Sequence, residues 1–179
     1  MESRRKFIKR LGTTALASAI GPAIARGASE APVRVGFALA KTGVFAAAVP
    51  AQANSYELWK DLTNQAGGLD IAGQGKRPIE FVQYDDQSNP SQDAKIYEKL
   101  ITQDKVDLLL APWGTPGHIA IAPVVERFKF PVVGNSAASA SLRDLKPGNI
   151  WFVAASFPDR VGRELAQLLK ANNVKSIAL

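Results

Sequence analysis

The chain has 179 residues, 46% of them apolar, which is enough for roughly one ordinary domain and its core. It holds no cysteine, and this excludes a disulfide framework, a thiolate metal site, a cysteine nucleophile and a lipid-modified cysteine anchor. The net charge of +6 is concentrated in the first 30 residues; beyond them 16 basic residues face 14 acidic ones, a balance of +2 without a phosphate-tracking stripe, which argues against a nucleic-acid partner.

Residues 1–25 read as an export signal. The start is basic (Arg4, Arg5, Lys6, Lys9, Arg10), a mildly apolar stretch runs from Leu11 to Ile24, and Ala23-Ile24-Ala25 makes a small-x-small cleavage site. The apolar stretch is short of the about 20 residues that a bilayer core of about 30 Å requires. Ser3-Arg4-Arg5-Lys6-Phe7-Ile8-Lys9 resembles the twin-arginine signal of bacteria, which implies passage through the twin-arginine translocase as folded protein. The mature chain is expected to begin near Arg26 in the periplasm, with residues 26–32 as a linker.

From residue 33 short apolar runs alternate with helical periodicity. Val33 to Ala40 has few polar breaks and suits a strand buried on both faces of a parallel sheet. Pro50 to Ala66 places Leu58, Trp59, Leu62 and Ala66 at helical spacing, and Gly67-Gly68 stops it. Ile79 to Tyr84 is the second strand. After Asp85-Asp86, Asn89-Pro90-Ser91-Gln92 reads as an N-cap, a proline at the first helical position and a capping-box glutamine, opening a helix to about Asp104. Val106 to Ala111 makes a third strand. Pro123 interrupts the helical stretch from Pro116 to Lys129, so a kink or two short helices are expected there. Pro131 to Gly134 is a fourth strand and Ile150 to Val153 a further extended run. Ser156 and Asp159 open a last helix from about Phe157 to Ala171, with Val161, Leu165, Leu168 and Leu169 on one face, and Val174 to Leu179 reads as another strand. The repeated βα units describe an α/β fold with a doubly wound parallel sheet. Ending on an apolar strand without a covering helix, the chain is expected to be part of a larger protein.

Ligands of open α/β sheets bind beyond the carboxyl ends of the strands. The loops there are Lys41-Thr42-Gly43-Val44-Phe45, Pro112-Trp113-Gly114-Thr115-Pro116, and Asn135 to Ser141 with Ser136, Ala137, Ala138 and Ser139. Small residues, hydroxyls and backbone N–H groups dominate all three and suit an anionic or zwitterionic small molecule. Trp113 reads either as a packed aromatic or as a pocket wall for an apolar ligand group, and the serine-rich loop either as a binding loop or as a solvated turn. His118, the only histidine, lacks the partners of a metal site or a triad and is expected on a helix surface. Asp85-Asp86, before a helix start, is expected to hold backbone amides rather than do acid–base chemistry. Neither a nucleophile elbow, a Walker loop nor a dinucleotide fingerprint follows a strand; Gly73-Gln74-Gly75 falls in a loop between helix and strand. No enzyme, no cofactor and no metal is expected.

The run Thr42-Gly43-Val44-Phe45, the helix end Asn64-Gln65-Ala66-Gly67-Gly68-Leu69, Tyr84-Asp85-Asp86 with Pro90, and Pro131-Val132-Val133 leading into Asn135 to Ser139 occur in an order and spacing that carry a resemblance. From Val33 onward the chain resembles the periplasmic leucine/isoleucine/valine-type solute-binding proteins of ABC transporters. This resemblance implies a type I periplasmic-binding fold of two α/β lobes that close on a ligand. The first lobe would span 33–153, a hinge crossing would fall near Phe152 to Ala155, and 154–179 would open the second lobe. It implies capture of an amino-acid-like or carboxylate/amide ligand and its delivery to an ABC transporter permease. Gly114 and Thr115, with Ser136, Ala137 and Ala138, would meet the ligand's carboxylate and amino groups. Ala138 stands where the family usually has threonine, so that contact would come from Ser136, Ser139 or water. A ligand-sensing domain of a receptor or an amide-responsive regulator with the same fold is the alternative.

Overall fold

The computed structural model describes residues 31–145, 148–152 and 158–176. The expected signal peptide (1–25), most of its linker, the crossing beyond Phe152, the Ser156 cap and Ile177 to Leu179 lie outside the described residues.

Seven strands and four α-helices follow one another in chain order: β1 (Val33–Ala38), α1 (Pro50–Gln65), β2 (Leu69–Ile71), β3 (Gly75–Arg77), β4 (Ile79–Tyr84), α2 (Pro90–Thr102), β5 (Leu108–Leu110), α3 (Gly114–Phe128), β6 (Val132–Gly134), β7 (Ile150–Phe152) and α4 (Pro158–Ala171). The main sheet is parallel throughout, in the order β4-β1-β5-β6-β7. Its second-longest pairing in residues is short, but β1 and β4 run together over six residues, from Val33 opposite Ile79 to Ala38 opposite Tyr84. β1 lies between β4 and β5, and Val33, Val35, Phe37 and Ala38 are all buried, as suits an apolar run broken only by Arg34.

Local signals set most helix ends. Pro50 opens α1, where its missing N–H costs nothing, and Gly67 and Gly68 leave the helix at φ of +97° and +109°. Asn89 caps α2 through its side-chain oxygen, which accepts from Ser91 N at 3.0 Å, with Pro90 at the first helical position. α2 and α3 pack against each other, and α2 also lies against β1. Tyr97, Leu100, Ile121, Val125 and Val132 form the centre of this core.

Four expectations need correction. α3 is one helix with Pro123 inside it, not two short helices. Pro123 is on the exposed side, as is Ile119, whose carbonyl would otherwise take the missing N–H; water can serve that carbonyl there. His118 is not on the helix surface but fully buried. The segment around Gly73 to Gly75 is not simply a loop: β2 and β3 form a small antiparallel hairpin, with Leu69 opposite Arg77. Strands of three residues are too short to show an alternation in the sequence. Finally, Val174 to Ser176 are not in a strand.

Candidate functional site

The carboxyl ends of β1, β4, β5 and β6 bring the predicted loops to one edge of the sheet. Beyond β5, Trp113 is the extended N-cap residue of α3 and Gly114 its first residue, at φ +74°. Beyond β6, the chain passes through Asn135 to Ser139 into a short 3-10 turn over Ala140–Arg143, an element that composition alone did not reveal. The buried Leu142 anchors that turn, so the serine-rich loop is held rather than merely solvated.

The two loops are stitched together. Gly114 N donates to Ser136 Oγ at 3.0 Å, and Ser136 Oγ donates to the Pro112 carbonyl at 3.1 Å. Thr115 Oγ1 accepts from Ala138 N at 3.2 Å and from Ser139 N at 3.3 Å. Ser139 and Ser141 hydroxyls lie 2.8 Å apart. Of the residues expected at the site, Trp113, Gly114, Thr115, Ser136, Ala137, Ala138 and Ser139 are thus brought together, although the Ala137 side chain is buried and Ser136 is committed to the Pro112–Gly114 turn. The helix start offers few amides: Gly114 N is taken, and Pro116 has none. Thr115 Oγ1 accepts two amides and retains its own O–H for a carboxylate.

Trp113 both packs and lines a surface. Its ring meets Phe45 at a centroid distance of 5.0 Å and an interplanar angle of 39°. Trp113 also borders an open depression of about 340 Å³ lined by Gln52, Ser55, Asn135 and Ser136, within the usual size of small-molecule sites. Phe45 contributes to the aromatic contact and is not among the residues that line the depression.

Two polar residues here, Gln52 and Tyr56, were not anticipated, and Asn135 of the expected loop joins them. Gln52 and Tyr56, one turn apart on α1, reach across to the β5 end: Gln52 Nε2 donates to Tyr56 OH at 2.8 Å and to the Ala111 carbonyl at 3.2 Å, and Tyr56 OH donates to the same carbonyl at 3.1 Å. Asn135 Nδ2 donates to Tyr56 OH at 2.8 Å. Burial raises the Tyr56 hydroxyl's pKa above the ordinary tyrosine value, opposed by its bonds to Asn135, Gln52 and Ala111. Polar side chains at an i, i+4 spacing on the inner face of α1 were the available signal.

The loop after β1 is fastened separately. Asp85 Oδ1 accepts from Lys41 N at 2.9 Å and Gln87 N at 2.9 Å, and Asp85 Oδ2 accepts from the Thr42 hydroxyl at 2.8 Å. Burial works against this charge, but the bonds from Gln87, Thr42 and Lys41 outweigh it and hold the carboxyl below the usual range. Phe45 N donates to Ser88 Oγ at 3.0 Å. Asp85-Asp86 therefore holds backbone amides, as expected. Among the described residues no group of three or more His, Cys, Asp or Glu could hold a metal ion, and no helix is long and apolar enough to cross a membrane.

Residues 32–179 match the family model described as periplasmic binding protein. Solved structures share the fold. The branched-chain amino acid transporter substrate-binding protein LivJ of Streptococcus pneumoniae, in complex with isoleucine, is 24% identical, with a TM-score of 0.61 over 68% of this chain and 33% of its own. An ABC transporter solute-binding protein of R. palustris in complex with benzoate is 22% identical, with a TM-score of 0.65 over 81% of this chain and 38% of its own. The leucine-binding protein LivK of Thermotoga maritima is 20% identical, with a TM-score of 0.58 over 79% and 37%. The chain spans between 33% and 38% of the length of these structures.

Proposed function

The chain belongs to the periplasmic binding protein family, and on that premise we propose that it supplies the first ligand-binding lobe of an extracytoplasmic solute-binding protein serving an ABC transporter. The lobe is 33–153, with 154–179 opening the second. Its ligand is a small amino-acid-like or carboxylate/amide molecule, delivered to the transporter's permease after export of the protein through the twin-arginine translocase and cleavage near Ala25.

One observation carries this reading: the Thr115 hydroxyl at the start of α3, flanked by the amides of Ala138 and Ser139, follows Gly114, whose N–H is bonded to Ser136, and Ser136 and Trp113 line an open depression. A carboxylate meets there a hydroxyl donor and the positive end of a helix dipole. The isoleucine and benzoate held by the S. pneumoniae and R. palustris proteins share a carboxylate on an apolar body, the chemistry that Thr115 and Trp113 together suit. Gly114, Ser136, Ala137 and Ser139 shape the carboxylate end, Ala138 leaves room where a larger side chain would project, and Phe45 backs the Trp113 ring.

A thermal-shift screen tests the proposal, with branched-chain and aromatic amino acids, short amides and aromatic carboxylates at up to millimolar concentration. A saturable rise in Tm for one class is expected, since a ligand that prefers the native state stabilises it by mass action, by about 2.7 kcal/mol at a hundredfold excess over Kd. A folded protein whose Tm responds to none of these classes would overturn the reading.

A further inference from the structure

Two carboxyls that the ligand-facing residues do not use lie directly behind them. Asp86, past the end of β4, and Asp93, in the first turn of α2, are each only 4% exposed. Each acts electrostatically on the other. With Phe45, Trp113, Pro116 and Gly117 they line a cavity of about 10 Å³, room for one water. The fit is close: a Cβ on Gly117 would stand 2.9 Å from Asp93 Oδ2 and 3.0 Å from Pro112 Cβ, so the first turn of α3 rests on α2 through a residue without a side chain. Asp86 Oδ1 accepts from Ser88 N at 2.7 Å, whereas Asp93 Oδ1 is buried without a hydrogen-bond partner among the described residues.

The surrounding titratable groups offer no counter-charge. Asp85 adjoins Asp86 and repels it. Tyr97, one turn along α2, is buried and donates to the Leu110 carbonyl at 2.5 Å. Tyr56 of α1 lies beyond it, within electrostatic range of Tyr97. His118, in the opening turns of α3, has its pKa lowered by burial against a bond to the Gly114 carbonyl. Among the described residues no lysine or arginine forms an ion pair with Asp86 or Asp93. Two buried carboxylates in contact cannot both keep their charge, and a carboxyl donating to a carboxylate is the strong arrangement left to them.

We propose that Asp86 and Asp93 share one proton, and that the protonated pair is a positioning device that holds the Phe45–Trp113 stack and the Gly114–Thr115 turn in their ligand-facing geometry. Its role in capture rests on the binding function proposed above. Burial first, and the Asp86 charge second, push the Asp93 carboxyl up to about 8, while burial also raises Asp86. In the unfolded chain Asp93 is ionised above its ordinary value of about 3.9. Folding therefore takes up a proton between that value and about 8, and the folding equilibrium weakens about tenfold per pH unit across this window, levelling off above it. Past pH about 8 the native pair carries two facing charges, and the close-packed Gly117 and Trp113 are the groups that must yield.

The test reads Trp113 without any solute. In the full chain carrying Trp59→Phe and Trp151→Phe, Trp113 is the remaining tryptophan, and its fluorescence is followed from pH 6 to 10. A single one-proton transition near pH 8 is expected, absent in Asp93→Asn, which keeps the shape and can still donate to Asp86. Asp86→Asn is the second variant: it removes the neighbouring charge but leaves Asp93 buried, so the transition should move to lower pH. A flat trace, a transition that survives Asp93→Asn, or one that stays at the same pH in Asp86→Asn, overturns the proposal. So does a Tm of the unsubstituted protein that is independent of pH between 5 and 8, a measurement that needs no variant. A protein that titrates as expected yet captures no solute would overturn the binding function alone.

Discussion

α3 and α4 are both helices of the last third of the chain with apolar residues at helical spacing, and they meet opposite fates. In α3, Ile121 and Val125 are fully buried and Ala122 and Val124 nearly so, because the helix is held between α2 and the sheet. In α4, Val161, Leu165 and Leu168 fall on one stripe and are 47%, 48% and 61% exposed; among the described residues none of α4 is buried. An apolar stripe stabilises a helix only when another surface covers it. The sequence pattern is sharper in α4, yet the stabilising contacts are in α3.

Substitutions can break this comparison. Ile121→Ala removes a fully buried side chain from the central core and should cost about 2–5 kcal/mol in urea unfolding, the largest effect expected here. Thr115→Val removes the oxygen that accepts from Ala138 N and Ser139 N; it should cost about 1 kcal/mol and, in the thermal-shift screen, abolish the response to carboxylate ligands. Leu165→Ala on α4 should change stability by no more than about 0.5 kcal/mol. If Leu165→Ala instead proves as costly as Ile121→Ala, the α4 stripe is covered in solution and the contrast between the helices disappears.

The strands β1 and β4 and the starts of α1 and α2 were legible because their signals are local: a short, largely apolar run, a proline at a first helical position, an asparagine whose side chain reaches the second amide along. The site was legible only as loops. That Trp113, Gly114 and Thr115 would lie beside Ser136 to Ser139 followed from strand order, but the sharing of hydrogen bonds between them did not, nor did the commitment of Ser136 to Pro112 and Gly114. Gln52 and Tyr56 escaped notice because their meeting point, the Ala111 carbonyl, is 55 residues from Tyr56 in the chain. His118 was misplaced on a surface because a single histidine on a helix carries no mark of which face will be covered.

The sequence by itself determined the α/β class, the parallel sheet, the helix caps and the small-residue loops at the strand ends, since each depends on the conformational preferences of residues that are near neighbours. Only the tertiary structure decided that Pro123 could stand inside a continuous helix, that Trp113 would both pack on Phe45 and border an open depression, and that Asp86 and Asp93 would be buried together. Those outcomes turn on which faces are withdrawn from water and on which distant polar groups are left to satisfy one another, and neither is a property of any segment alone.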